Sequence, residues 1–200
     1  MPNDEPALIA RAKRGHVDAF NTLVLRYQDA AFTLAFRLMG DSAGAADMAQ
    51  DAMIVAYRKL TTFRGGSFRA WLLRIVTNRC YDELRRTQRR PTVSLSGSAN
   101  DDAPEPLDLP DSNATPEEIA LSHELQSAIQ DCINALSADQ RLVLVLCDIE
   151  GLSYEEIAAQ SGNQLGTVKS RLSRARASVR DCLQAVRELL PLQFRLREEI

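Results

Sequence analysis

Apolar side chains recur every third or fourth position through most of the chain, and no run alternates apolar with polar as a strand would. That period predicts an all-α protein. The stripe is clearest at Phe20, Leu23, Val24, Tyr27, Ala31, Leu34, Ala35 and Leu38. It predicts a long helix from Asp18, read as the N-cap, to Met39, with Gly40 just past its end. A short helix near Pro6–Arg14 precedes it and closes at Gly15. A third, about Ala43–Leu60, buries Ala45, Met48, Ala49, Ala52 and Ala56. After the turn Arg64-Gly65-Gly66, Ser67 caps a fourth helix that runs to about Arg89. Each stripe is too narrow for a free-standing helix, so the four pack as one small bundle.

The second half is punctuated by capping signals. Thr115-Pro116-Glu117-Glu118 joins an N-cap threonine, a first-turn proline and a capping glutamate, opening a helix that reaches Leu136. Ser137 starts the next, which ends at Gly151. Ser153-Tyr154-Glu155-Glu156 is another capping box, and its short helix runs to about Gln160. A turn at Ser161-Gly162-Asn163 leads to a last helix from near Gly166 to about Leu190. Between the two halves, composition shifts to Pro, Ser, Gly, Asn and Asp, which reads as a flexible acidic linker. The expected organisation is two small helical domains, 5–91 and 114–190, joined by the linker 92–113.

Composition adds one correction to this picture. Of 200 residues, 45% are apolar and 26% charged, as in an ordinary globular chain, so wholesale disorder is excluded. The net charge of −3 argues at first against a polyanionic partner, but the charges are segregated. Seven acids and no base lie between Pro91 and Glu118; five bases and no acid lie between Leu165 and Arg180. A further five arginines stand against two acids from Arg79 to Arg90. Within a Debye length the local patch outweighs the global sign. No apolar run approaches the ~20 residues of a bilayer span, and the start Met1-Pro2-Asn3-Asp4-Glu5 is no secretory signal. A cytoplasmic protein without membrane insertion is expected. Cys80, Cys132, Cys147 and Cys182 lack zinc or redox spacing and lie in apolar-periodic stretches, so all four are expected to be reduced core residues.

Three stretches carry candidate chemistry. Residues 152–176 read as a helix-turn-helix: a capped helix, a glycine turn and a basic helix, with Ile157, Ala158, Val168 and Leu172 as the seam. Lys169, Ser170, Arg171, Arg174 and Arg176 occupy the remaining face, where cations can reach guanine edges or phosphates. A solvated basic face is the plainer alternative. In Phe63–Arg90, aromatics (Phe63, Phe68, Trp71, Tyr81) alternate with arginines, a combination that suits unstacked bases, although Phe68 and Trp71 also fit a core. The outer face of Ala45–Leu60 carries Asp47, Gln50, Asp51 and Arg58, either a solvated surface or a dock for a partner helix. His16 and His123 belong to no catalytic arrangement, and no phosphate-binding glycine loop is present, so no enzyme, catalytic residue, metal or cofactor is expected.

In order and spacing these stretches resemble the extracytoplasmic-function (ECF) sigma factors, the small promoter-specificity subunits of bacterial RNA polymerase. Asp47-Met48-Ala49-Gln50-Asp51 is similar to the family's acidic segment, and Phe63-Arg64-Gly65 with Phe68-Arg69-Ala70-Trp71-Leu72 to its melting segment. Gly166-Thr167-Val168-Lys169-Ser170-Arg171-Leu172, with Arg174-Ala175-Arg176, is similar to its promoter-reading helix. The resemblance implies that Asp47, Gln50, Asp51, Met53 and Tyr57 dock on core RNA polymerase. It implies that Phe63, Arg64, Ser67, Arg74, Asn78, Arg85 and Arg86 serve the minus-ten element of promoter DNA, where a base leaves the duplex, with Arg89 and Arg90 beside them. Lys169, Ser170, Arg171, Arg174 and Arg176 are implied in reading the minus-thirty-five element, partly through DNA shape. An anti-sigma factor is the further implied partner. The chain departs from the family pattern in a turn one residue shorter at Gly65-Gly66-Ser67, in Val55 where a base is common, and in Ser173 where an aromatic or histidine is common. Two rivals explain less. A stand-alone helix-turn-helix regulator leaves the first two phrases as coincidence, and a metal enzyme built on Asp101–Asp111 needs ligands that an acidic tether does not preorganise.

Overall fold

The computed structural model describes residues 5–89 and 115–190. Among them are eight α-helices and no strand. The expected linker 92–113 and the tail 191–200 lie outside the described residues, as does Arg90. The chain divides into two compact units, Met1–Ser96 and Gly97–Ile200.

In the first unit, α1 (Glu5–Lys13), α3 (Ser42–Lys59) and α4 (Phe68–Arg89) all pack on α2 (Val17–Met39), and α3 also packs on α4. The α2 stripe does the burying: Phe20, Leu23, Ala31, Leu34, Ala35 and Leu38 are in the core, while Val24 and Tyr27 are half-buried. α3 offers the small residues Ala45, Ala49, Ala52 and Ala56, which permit close approach, with Met48 half-buried at the edge. α4 contributes Phe68, Leu72, Leu73 and Val76, each at most 2% exposed and each worth about 1.5–3 kcal/mol of transfer free energy. The expected Asp18 cap is corrected: the N-cap is His16, two residues earlier, and Asp18 sits in the first turn of α2, paired with Arg11 of α1. At the other end Gly40 takes φ 85° and donates its N–H to the Phe36 carbonyl. Asp41 then caps α3 by accepting from the Gly44 N–H at 2.6 Å. A Cβ on Gly44 would lie 2.8 Å from that carboxylate, so a larger residue there would push the Asp41 side chain aside and disturb the cap.

In the second unit α8 (Leu165–Ala185) is the spine, and α5 (Pro116–Asn134), α6 (Ala138–Leu144) and α7 (Tyr154–Ser161) pack against it. The Ser153–Glu156 capping box is present in both directions, and Gly162 closes α7 at φ 68°. The Glu118 half of the other expected box lies outside the described side chains. The helix expected over 137–151 is interrupted: after Leu144 the chain widens into a π-turn, Val145–Ile149, which buries Val145 and Leu146 and carries Cys147 and Asp148 toward α8. α8 ends at Ala185, short of Leu190, and one 3₁₀ turn, Arg187–Leu189, follows.

The cysteines need the largest correction. Cys132 of α5 and Cys182 of α8 form a disulfide, their Cα atoms 5.7 Å apart across a sequence separation of 50. Short-range spacing could not reveal it, because packing of α5 along α8 creates the proximity. Cys80 is a buried free thiol, pushed up to about 12 by burial, and Cys147 is free and half-buried.

Candidate docking face and nucleic-acid interfaces

The alanine face of α3 turns inward, so the opposite face is left to solvent. Asp47, Gln50, Ile54 and Tyr57 line it, with Arg58 alongside. Ile54 is 43% and Tyr57 42% exposed, a neighbouring apolar pair on one face, and Ile54 is a residue that the sequence reading did not single out. Tyr57 is steadied by Phe20, ring centroids 4.9 Å apart. Met53 is half-buried at the margin. Asp51 is only partly available, because Arg79 of α4 forms an ion pair with it. This face offers an apolar centre with acidic and amide groups around it, the make-up of a protein-docking patch.

On α4 a second stripe faces outward. Arg74, Asn78, Tyr81 and Arg85 follow one another at helical spacing, all exposed except the half-buried Tyr81. Beside them α3 and α4 enclose a cleft of about 410 Å³ lined by Val55, Lys59, Ile75, Asn78, Arg79, Tyr81, Asp82 and Arg85. Lys59 and Arg85, with Arg79 held by Asp51 at the edge, face one acid, an amide and a phenol over an apolar floor, a lining that can accept a phosphate together with a base edge. Tyr81, one of the aromatics noted in the sequence, lines this cleft, and Lys59 joins the site from the neighbouring helix, a proximity that linear spacing does not show. Arg86 lies off the stripe, and its guanidinium makes a two-pronged contact with Glu83 at 2.7 Å.

The turn before α4 is exposed from Arg64 to Ser67, with Gly65 at φ 103° and Gly66 at φ 86°. Ser67 caps α4, its Oγ accepting from the Ala70 N–H at 3.1 Å. Phe63, expected as a DNA-facing ring, is 5% exposed and packs on Phe68 and Trp71 at 5.5 and 5.4 Å. As positioned it anchors the turn and presents no stacking surface. The reason is local: the 3₁₀ turn Leu60–Thr62 rotates the ring inward, which linear aromatic spacing does not register. The Arg89 side chain lies outside the described residues.

α7, its glycine turn and α8 form the helix-turn-helix, with Ile157, Val168, Leu172 and Ala175 buried. At roughly 100° per residue, the face opposite this seam carries Ser170, Ser173 and Arg174, with the exposed Lys169 at its edge. Neither Lys169 nor Arg174 has an ion-pair partner among the described residues. Arg171 and Arg176 instead flank the seam. Arg171 meets Asp139 of α6 at 2.5 Å, and Arg176 meets Asp148 of the π-turn at 2.5 and 2.9 Å. The basic run without a nearby acid is therefore compensated from other helices, a contact invisible in local sequence. Hydrogen bonding from Arg176 holds the Asp148 carboxyl below its ordinary value and raises the guanidinium in turn. Burial and the Asp148 charge push the adjacent Cys147 thiol up. Among the described residues no cluster of histidine, cysteine or carboxylate could hold a metal.

Comparison with known proteins addresses the whole chain. Residues 23–90 match the family model of sigma-70 region 2, and residues 126–179 that of sigma-70 region 4. The chain is 38% identical over 186 residues to the ECF RNA polymerase sigma-E factor of Escherichia coli K12, covering 90% of this chain and 94% of that protein. It is 38% identical over 178 residues to the RNA polymerase sigma-H factor of Pseudomonas aeruginosa, covering 88% and 92%. Among solved structures, the sigma factor RpoE in complex with the anti-sigma factor NepR from Bartonella quintana superposes with a TM-score of 0.64 at 30% identity, over 82% of this chain and 96% of that one. CnrH in complex with the cytosolic domain of CnrY gives 0.63 at 28% identity, over 92% and 98%. Two helical units carrying these faces in this order, with likeness along nearly the full length of such relatives, leave one conclusion: the chain belongs to the ECF family of RNA polymerase sigma factors.

Proposed function

We propose that this chain docks on core RNA polymerase and gives it promoter selectivity, the first unit opening the minus-ten element and the second reading the minus-thirty-five element. The observation that carries the proposal is the helix-turn-helix whose outer face presents Lys169, Ser170 and Arg174 to solvent with no internal counter-charge for either cation among the described residues. A recognition helix of this kind enters the major groove with its N-terminal residues at the base edges. Lys169 and Ser170 suit that role, and Arg174 suits a phosphate. Arg171 and Arg176 then act on DNA from braced positions, set by Asp139 and Asp148.

Polymerase docking falls to Asp47, Gln50, Asp51, Met53 and Tyr57, with Ile54 at the centre. The minus-ten work falls to Arg64, Ser67, Arg74, Asn78 and Arg85. The turn at 64–67 receives the unpaired base, the α3–α4 cleft takes the backbone beside it, and Arg86, paired with Glu83, stands behind the cleft. Phe63 contributes by fixing the turn. Melting is driven by capture of the unpaired base, so the protein is a non-enzymatic initiation factor without metal or cofactor. It acts where chromosomal DNA and polymerase are, in the cytoplasm, and no described helix is long and apolar enough to cross a membrane. Because solved relatives are bound to an anti-sigma factor or to the cytosolic domain of CnrY, an anti-sigma partner is proposed here too. Likeness along the length of sigma factors disfavours the stand-alone regulator. In vitro transcription on a genomic library with core enzyme tests the proposal: discrete start sites dependent on the chain support it, and a transcript profile unchanged by the chain refutes it.

A further inference from the structure

The turn assigned above to the minus-ten element is tied to a helix outside the region-2 match, which begins at residue 23. The last residue of α1, Lys13, donates from Nζ to the carbonyl of Phe63 and stands 5.4 Å from the centroid of that ring. One ammonium thus holds both backbone and ring of the residue where the 3₁₀ turn gives way to extended chain, at φ −67° and ψ 116°. α1 is itself fixed on α2. Leu8, Ile9 and Ala12 are buried, the Tyr27 hydroxyl donates to Glu5, Arg26 lies 3.6 Å from Glu5, and Arg11 pairs with Asp18. Lys13 therefore reaches the turn from a braced platform. An exposed lysine ordinarily keeps its rotamer freedom in water; this one gives it up for a carbonyl and a ring face.

Beyond Phe63 the chain has little stiffness of its own. Gly65 and Gly66 both sit at positive φ, and a Cβ on either would meet nothing within 4 Å. The shape of 64–67 is set by its two ends, Ser67 at the α4 cap and Phe63 under Lys13. We infer that Lys13 is a positioning residue for promoter opening, which acts through Phe63 to hold the turn in the form that receives an unpaired base. The inference rests on the minus-ten reading of that turn.

The test uses holoenzyme assembled with wild-type chain or with Lys13→Met, Lys13→Gln or Lys13→Arg. Binding is measured to a fork-junction promoter and to forks made abasic at each single-stranded minus-ten position in turn. The wild type loses affinity at one such position, and that loss measures base capture. Lys13→Met should shrink this preference about tenfold, because a turn less often in the competent form captures less well. Lys13→Arg, which keeps the donor and the cation over the ring, should restore it, with core affinity unchanged in every variant. An undiminished base preference in Lys13→Met overturns the inference while leaving the minus-ten reading intact. Loss of core affinity in both Lys13→Met and Lys13→Gln overturns it as well, since Lys13 would then serve the fold. Absence of any base preference in the wild type defeats the minus-ten reading, and the inference with it.

Discussion

Removing the Cys132–Cys182 bridge should weaken the second unit and spare the first. The bridge closes a loop across a sequence separation of 50. In the chain-entropy model a loop of that size limits the unfolded ensemble by about 4 kcal/mol at 25 °C. Small domains have net stabilities of about 5–15 kcal/mol, so the bridge is a large share of what holds this unit folded. With a guanidinium dependence of about 2 kcal/mol per molar, the midpoint should fall by up to about 2 M on reduction or in Cys132→Ala/Cys182→Ala. The chain supplies its own control. Trp71, the sole tryptophan, lies in the first unit, so its fluorescence reports that unit, whereas far-ultraviolet circular dichroism reports both. The dichroism transition should become biphasic, with its earlier phase moved by reductant, while the Trp71 transition stays in place. The reasoning is refuted if mass spectrometry confirms the bridge and both curves are indifferent to reductant, or if Trp71 moves as far as the dichroism.

Further outcomes follow from the interfaces. Lys169→Ala and Arg174→Ala in the holoenzyme should each weaken promoter binding and lower the slope of log affinity against log salt by about 0.9 where the side chain meets a phosphate; an unchanged slope in both would remove the outer face of α8 from the DNA. Gln50→Ala with Asp51→Ala should abolish association with core polymerase, as read by co-purification, without lowering the unfolding free energy of the first unit by more than a surface ion pair is worth, about 1 kcal/mol or less. The Asp148 carboxyl titrates below its ordinary 3.8 in the folded chain, so its contribution is complete above that value and is lost as pH falls through the lower folded one. Thermal melting from neutral pH into acid should therefore show a steeper loss in the wild type than in Asp148→Asn; parallel profiles would contradict the Arg176 pairing. Leu73→Ala should cost about 2–5 kcal/mol in denaturant titration of the Trp71 transition, a core effect that mild surface replacement cannot match.

What the sequence disclosed and what it withheld divide by range. Periodicity and caps act within a few residues, so the α2 stripe, the Ser153–Glu156 box and the αL glycines at Gly40 and Gly162 were legible in advance. The family phrases were legible for the same reason, being contiguous. Contacts made by packing were not. Asp139 and Asp148 reach Arg171 and Arg176 from other helices, Arg79 reaches Asp51 across the bundle, and Cys132 meets Cys182 along α8. A helical wheel of α8 would have found part of this, since Arg171 borders the Val168–Leu172–Ala175 seam while Arg174 does not. Phe63 shows the opposite failure: aromatic next to arginine suggested a stacking surface, yet a single 3₁₀ turn carries the ring inside.

At the centre of this account is a division of labour in which two DNA-reading surfaces, each weak alone, act together once a larger enzyme sets their spacing. Equilibrium binding of the purified chain to its own duplex promoter, with and without core RNA polymerase, tests it most directly. Weak, salt-sensitive, sequence-indifferent binding is expected of the chain alone, and tight promoter-specific binding with core present. Tight, specific binding by the isolated chain, unaltered by core enzyme, would contradict it.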